Sequence, residues 1–230
     1  MIMDIKNKLT ELSEPDYKAF SLKFLPKDTI LYGVRLAHLR KIAKEAVKKQ
    51  DFSFLDEADY NIFEEKLLCG FMISYIKLPF NEKLELIKDF VTKIDSWSVC
   101  DSFCASFKFK ENEKQQVFEF LQPYLKAHDE YKARFGIVML LDHFINEEYI
   151  DRVLFLIRNV KAEGFYTKMA SAWALSVCMV YFPQKTISLL EENILDTFVQ
   201  NKAIQKSVES YRINEKIKNY IKTLKFGGKK

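Results

Sequence analysis

The chain has 230 residues, 27.2 kDa, with 6 Gly and 5 Pro, and 36 Lys and Arg against 32 Asp and Glu for a net charge of +4. So few turn residues exclude a β-sandwich or barrel, which needs a turn signal roughly every 8–12 residues. They also exclude a phosphate-binding glycine loop, because the adjacent glycines, Gly227 and Gly228, stand at the far end.

In chain order the apolar periodicity is helical almost throughout. Ser13, Glu14 and Pro15 place a proline inside a first turn. Between positions 35 and 49, Arg35, Arg40, Lys41, Lys44, Lys48 and Lys49 face Glu45 alone, a local charge of +5. Residues 63–76 form an apolar run too long for a strand and read as a buried helix. After Leu78 and Pro79, Asn81 reads as an N-cap followed by Glu82. Asp95, with Ser96 beside it, reads as the N-cap of a helix carrying Trp97 and Asp101. Residues 132–144 and 168–181 are two more buried helices; Asn146 with its acids, and Pro183 after Phe182, start the helices that follow. Residues 201–230 hold nine Lys and Arg and two Glu, +7, which leaves −3 for residues 1–200. Two basic ends around an acidic middle suit a polyanionic partner. A solvated Lys/Arg-rich helix face explains the same charge without any partner.

The compartment follows from what is missing. Met1 opens onto charged, amphipathic sequence, so no secretory leader is expected, and without an apolar run of about 18 residues no membrane span is expected. Cys100 and Cys104 are four apart, unlike a C-x-x-C pair, and Cys69, Cys178 and the three His are scattered. The thiols are expected to be reduced, buried and structural, the protein cytoplasmic, and metal and cofactor absent.

An internal repeat organises the helices. Lys66, Lys132 and Lys168 are each followed four residues on by a small residue, Gly70, Gly136 and Ala172. From 66 to 132 is 66 residues, two steps of 33; from 132 to 168 is 36, and a step of 38 reaches Lys206. Each anchored helix is followed by a break and a second amphipathic helix. Such units predict an all-α fold, an α-solenoid of HEAT-like helix pairs forming a curved superhelix with a concave groove. One domain over residues 1–224 is expected, with 225–230 a flexible basic tail.

Four side chains look out of place on the helices that line such a groove. Trp97 and Asp101 lie at i and i+4, Arg134 interrupts an apolar helix, and Trp173 is hemmed by Ala172 and Ala174. With a third anchor interpolated at residue 99, all four fall within an arc of about 60° at about 100° per residue. Each also has an ordinary structural reading. A tryptophan in a helix is commonly core. Asp101 can be a surface or capping carboxylate, and Arg134 can simply pair with it. Together, two indoles, a carboxylate and a guanidinium offer faces for cations and bases, an anion for developing positive charge, and a bidentate phosphate ligand. No Ser–His–Asp or Cys–His arrangement stands out.

These residues resemble the DNA alkylation repair enzymes of the AlkD type, the HEAT-like-repeat DNA glycosylases. The resemblance spans essentially the whole chain. It includes the stretch from Tyr32 to Lys41, the helix from Glu64 to Gly70, Trp97-x-x-x-Asp101, Lys132-Ala-Arg134, and the run from Lys168 through Trp173 to Leu175. It implies a monomer that excises cationic N3- and N7-alkylated purines, 3-methyladenine and 7-methylguanine, from double-stranded DNA. It implies that Asp101 is catalytic, stabilising an oxocarbenium-like sugar and orienting water, while Trp97 and Trp173 flank the nucleotide and Arg134 holds a phosphate. Lys168 and Arg212 are further expected backbone contacts. The alternative within the same fold is a non-catalytic protein that binds damaged or branched DNA.

Overall fold

A computed structural model describes residues 4–227. The fold is all-α: among these residues there are helices, one 3-10 turn and a single isolated bridge between Ile30 and Ile62, and no strand. The chain divides into two compact units, Met1–Glu113 and Lys114–Lys230.

The first unit contains α1 (Ile5–Glu11), α2 (Pro15–Leu22), α3 (Leu36–Lys48), α4 (Phe54–Glu57), α5 (Phe63–Tyr75), α6 (Phe80–Val91) and α7 (Trp97–Cys104), and ends in the 3-10 turn Glu111–Glu113. Helix α5 is its centre: Glu64 to Ser74 are all buried, and α3, α6 and α7 pack against it. Gly70 makes that packing possible. A methyl group there would stand 2.9 Å from Phe90 Cζ on α6 and 3.2 Å from Phe103 Cδ2 on α7, tighter than side chains tolerate. Phe90 and Phe103 meet over it with ring centroids 4.6 Å apart.

The carboxylates that open α5 are buried, and both are satisfied. Glu64 accepts hydrogen bonds from the backbone N–H groups of Tyr32, Gly33 and Val34 at 2.9, 2.7 and 3.0 Å. Gly33 adopts φ +96°, a conformation suited to glycine, and lies where a side chain would strike Lys18. Glu65 accepts from Tyr32 Oη and the Asp59 N–H, both at 2.8 Å. Burial and the Glu65 bond push the Tyr32 phenol up to about 12. The motif shared by residues 32–34 and 64–65 is thus a clamp that fixes the loop entering α3.

The second unit contains α8 (Lys114–Phe120), α9 (Gln122–Leu125), α10 (Glu130–His143), α11 (Ile150–Arg158), α12 (Phe165–Tyr181), α13 (Pro183–Glu191), α14 (Thr197–Glu209) and α15 (Glu215–Lys222). Helix α12 packs between α10 and α14, and α13 touches both α11 and α12. Long α10 and α12 are buried along most of their length, while short α11 and α15 are strongly amphipathic. Gly136 faces Leu125 and Tyr124 at a close approach, and Ala172 is fully buried.

Several helix starts differ from expectation. Ser96, whose Oγ accepts from the Val99 N–H, caps α7 in place of Asp95. Pro79 stands at the cap of α6, so Asn81 lies inside that helix. Asn146 caps a turn ahead of α11, accepting from Glu148 and Tyr149. Lys206 lies well inside α14, whereas Lys66, Lys132 and Lys168 lie in first turns; the matching residue of α14 is Gln200. Of the expected tail, Phe226 exchanges hydrogen bonds with Asn201 at 2.9 and 3.1 Å, and residues 228–230 lie outside the described residues.

Candidate nucleic-acid interface

Helix α7 divides by face. Val99, Cys100, Phe103 and Cys104 are buried against α5 and α6, which leaves Trp97 and Asp101 half-buried, one turn apart on the other face. The Trp97 indole N–H donates to the Phe24 carbonyl at 3.4 Å, so the residues after α2 fix its edge. Trp97 is therefore not a core residue, and Asp101 does not cap a helix.

The neighbour of Trp97 in sequence has a different task. Asp95 is exposed, at 69%, and receives the Lys66 ammonium at 2.5 Å, while the Lys66 side chain is only 6% exposed. Lys66, recognised in sequence as a repeat anchor, ties α5 to the start of α7 and so sets where Trp97 and Asp101 begin.

In the second unit, Phe165, Met169, Trp173, Val177 and Tyr181, every fourth residue of α12, are not buried and form a ridge, with Tyr166, Lys168 and Val180 the other residues of this helix that are not buried. Trp173 stands at its middle, with Ala170, Ala172 and Ala174 buried on the other side. The indole is on the surface of this unit and does not fill its core. Arg212 joins the same ridge. Its guanidinium lies 4.6 Å from the Tyr181 ring centroid, a cation–π contact that holds an exposed cation in place.

Arg134 is 5% exposed, and its Nη1 donates to the Tyr166 carbonyl at 2.6 Å in the first turn of α12. Lys168, expected at the DNA backbone, has its ammonium between Glu163 at 2.7 Å and Asp196 at 3.0 Å. These two hydrogen bonds raise its pKa. Burial pulls Asp196 upward, but Lys168 and the Val199 and Phe198 N–H groups outweigh that and hold its carboxyl below the usual range. Asp196 also caps α14 through Val199. Lys168 thus does in α12 what Lys66 does in α5.

Trp97 and Asp101 are brought together on one face within the first unit; Arg134 and Trp173 belong to packed neighbours, α10 and α12, within the second. Tyr181 was missed in sequence, although it lies two steps of four beyond Trp173. The pairing of Lys168 left no sequence signal, because its partners come from a loop and from a helix cap.

The remaining chemistry is sparse. All four cysteines are buried and free, and burial pushes Cys69 and Cys178 up to about 12, which leaves them protonated at neutral pH. Among the described residues no three His, Cys, Asp or Glu stand together so as to hold a metal ion, and no helix is long and apolar enough to cross a membrane.

A family model described as DNA alkylation repair enzyme matches residues 5–207, and the chain belongs to that family. A comparison with curated proteins finds no match.

Proposed function

We propose that this member of the DNA alkylation repair family is a DNA glycosylase that excises cationic N3- and N7-alkylated purines, 3-methyladenine and 7-methylguanine, from duplex DNA. The observation that carries the reading is the open face of α7, which keeps a carboxylate and an indole one turn apart on a helix whose opposite face, Val99, Cys100, Phe103 and Cys104, is buried. Alkylation at these ring nitrogens makes the base a cation and a good leaving group, so departure needs little help from a general acid. What needs stabilising is the sugar, which gains oxocarbenium character as the bond breaks. Asp101 supplies the anion and orients the attacking water. No second carboxylate is required, in contrast to glycoside hydrolysis by a carboxylate pair. Trp97 and Trp173 flank the nucleotide and favour its positive charge through their π faces.

Arg134 and Arg212 are assigned to backbone phosphates. Arg212, exposed and braced on Tyr181, is available as it stands, whereas Lys168 acts through the position of α14. The helix order within the second unit, α10, α12 and α14 side by side with α11 and α13 alongside, supports reading its pairs as HEAT-like. The protein acts as a monomer without metal or cofactor.

The test is to incubate the protein with methylated duplex DNA and quantify free bases. Release of 3-methyladenine or 7-methylguanine is the expected result. Duplex binding without release would instead identify a non-catalytic protein for damaged or branched DNA.

A further inference from the structure

Helix α11 carries an aromatic ring where its pattern calls for a polar side chain. Ile150, Val153, Leu154, Leu156 and Ile157 are buried, while Asp151, Arg152 and Arg158 are exposed. Phe155 keeps company with these three charges at 61% exposure. An exposed Phe needs no explanation by itself. This one lines a groove of about 390 Å³ together with Phe118, Gln122, Asp151, Arg152 and Leu156. The groove runs between α8 and α9 on one side and α11 on the other, and it shares no residue with the α12 ridge.

The charges around Phe155 are unevenly settled. Asp151 accepts from the Lys185 ammonium at 2.8 Å, and Arg158 donates to Glu192 at 3.0 Å, so both pair with α13 or its cap. Arg152 turns to α8 and meets a neutral group there. Its Nη1 donates to Gln115 Oε1 at 3.3 Å, and the Gln115 amide donates in turn to Glu119 at 2.7 Å. The Arg152 guanidinium lies 4.1 Å from the Phe118 ring centroid and 5.6 Å from that of Tyr149, two buried rings that brace it. Among the described residues no carboxylate pairs with Arg152 directly. The groove thus offers one braced guanidinium beside an apolar wall of Phe118, Phe155 and Leu156.

That combination selects its occupant. A nucleic acid or an anionic membrane is gripped by a row of cations; here Asp151 and Glu119 stand near a single one, and they repel a polyanion. A small inorganic anion leaves the apolar wall wet. The volume is at the lower end for ligand pockets and suits one or two large side chains. Arginine and aromatic side chains are enriched at protein interfaces. We infer that this groove docks a segment of a partner protein in which an Asp or Glu stands within two residues of a Leu, Phe or Trp. The carboxylate meets the Arg152 guanidinium, and the apolar side chain packs against Phe155 and Leu156. The site is independent of the reaction proposed for the α7 face.

The experiment selects a phage-displayed library of random peptides, about twelve residues long, on the whole protein. The most enriched peptide is then synthesised with a fluorescein label and its binding measured by polarisation. Enriched sequences should share an acid within two residues of a large apolar side chain. Phe155→Ser removes an exposed ring, so it should melt as the parent does and bind the peptide roughly tenfold more weakly. Arg152→Gln should also bind roughly tenfold more weakly, and Arg152→Lys, which keeps the charge without the planar fork, should fall between it and the parent. No enrichment, enriched sequences without an acid, or parental affinity in a normally melting Phe155→Ser variant overturns the site. A Phe155→Ser variant whose affinity for unmodified duplex DNA falls in step with its affinity for the peptide assigns the groove to nucleic acid and overturns it too. Base release from methylated duplex DNA should be the same in Phe155→Ser as in the parent.

Discussion

Each unit ties one helix to the start of a later one through a lysine in its first turn, and the two ties differ in burial. In the first unit Lys66 is almost wholly enclosed, and Asp95 is its carboxylate. In the second, Lys168 is 22% exposed and shared between Glu163 and Asp196. A buried ammonium with one partner depends on that partner; a partly exposed one with two partners and water depends less on either. The helix that carries Asp101 is therefore held by the more brittle tie.

Breaking each tie at its acid separates them most. Asp95→Asn strands a buried cation and should cost about 2 kcal/mol, short of the full penalty for a buried pair because Asp95 itself is exposed. Lys66→Met, which removes the buried charge and leaves an exposed Asp95, should be close to neutral. Asp196→Asn keeps a capping oxygen and leaves Lys168 with Glu163, so it should cost less than about 0.5 kcal/mol. Urea midpoints of the three variants check the order; equal losses for Asp95→Asn and Asp196→Asn would erase the contrast.

The small residues of the repeat sharpen it further. Gly70→Ala places a methyl 2.9 Å from a ring locked between α6 and α7, and Gly136→Ala places one 3.1 Å from the branched end of Leu125. Each gains up to about 1 kcal/mol of helix propensity. Gly70→Ala should still lose about 1–2 kcal/mol to overpacking, while Gly136→Ala should change stability by less than about 0.5 kcal/mol. Thermal melts decide this, and a more damaging Gly136→Ala would mean that α10 and α9 are the tighter pair.

The smallest effect is the pH response of the second tie. The folded Asp196 pKa is lowered, so its contribution is present above the unfolded value of about 3.9 and lost as pH falls through the lower folded one. The folded Lys168 pKa is raised, so its contribution is complete below about 10.4 and lost as pH rises through the higher folded one. The melting difference between the parent and Asp196→Asn should be a plateau that collapses at both ends. A difference that grows on acidification contradicts the assignment.

Much of this architecture is legible in the sequence, for physical reasons that also mark where legibility stops. The three apolar runs behind α5, α10 and α12 are too long for strands, and all three are central buried helices. Trp97 and Asp101 share a face because i and i+4 must do so in a helix. The caps were harder. Asp95 and Ser96 are both good capping residues, and only the extended backbone of Ser96, with φ −145° and ψ 150°, places its oxygen over the Val99 N–H. The role of Lys168 was hidden because Glu163 and Asp196 are 33 residues apart and converge only through folding.

The central claim is that the carboxylate on the open face of α7 does the chemistry. It is tested most directly by the single-turnover rate of base release from methylated duplex DNA, measured for the parent and for Asp101→Asn at saturating protein. Loss of one preorganised electrostatic group predicts a fall of about 10²–10³-fold, with duplex affinity kept or improved. A variant that releases 3-methyladenine and 7-methylguanine at the parental rate would contradict the account.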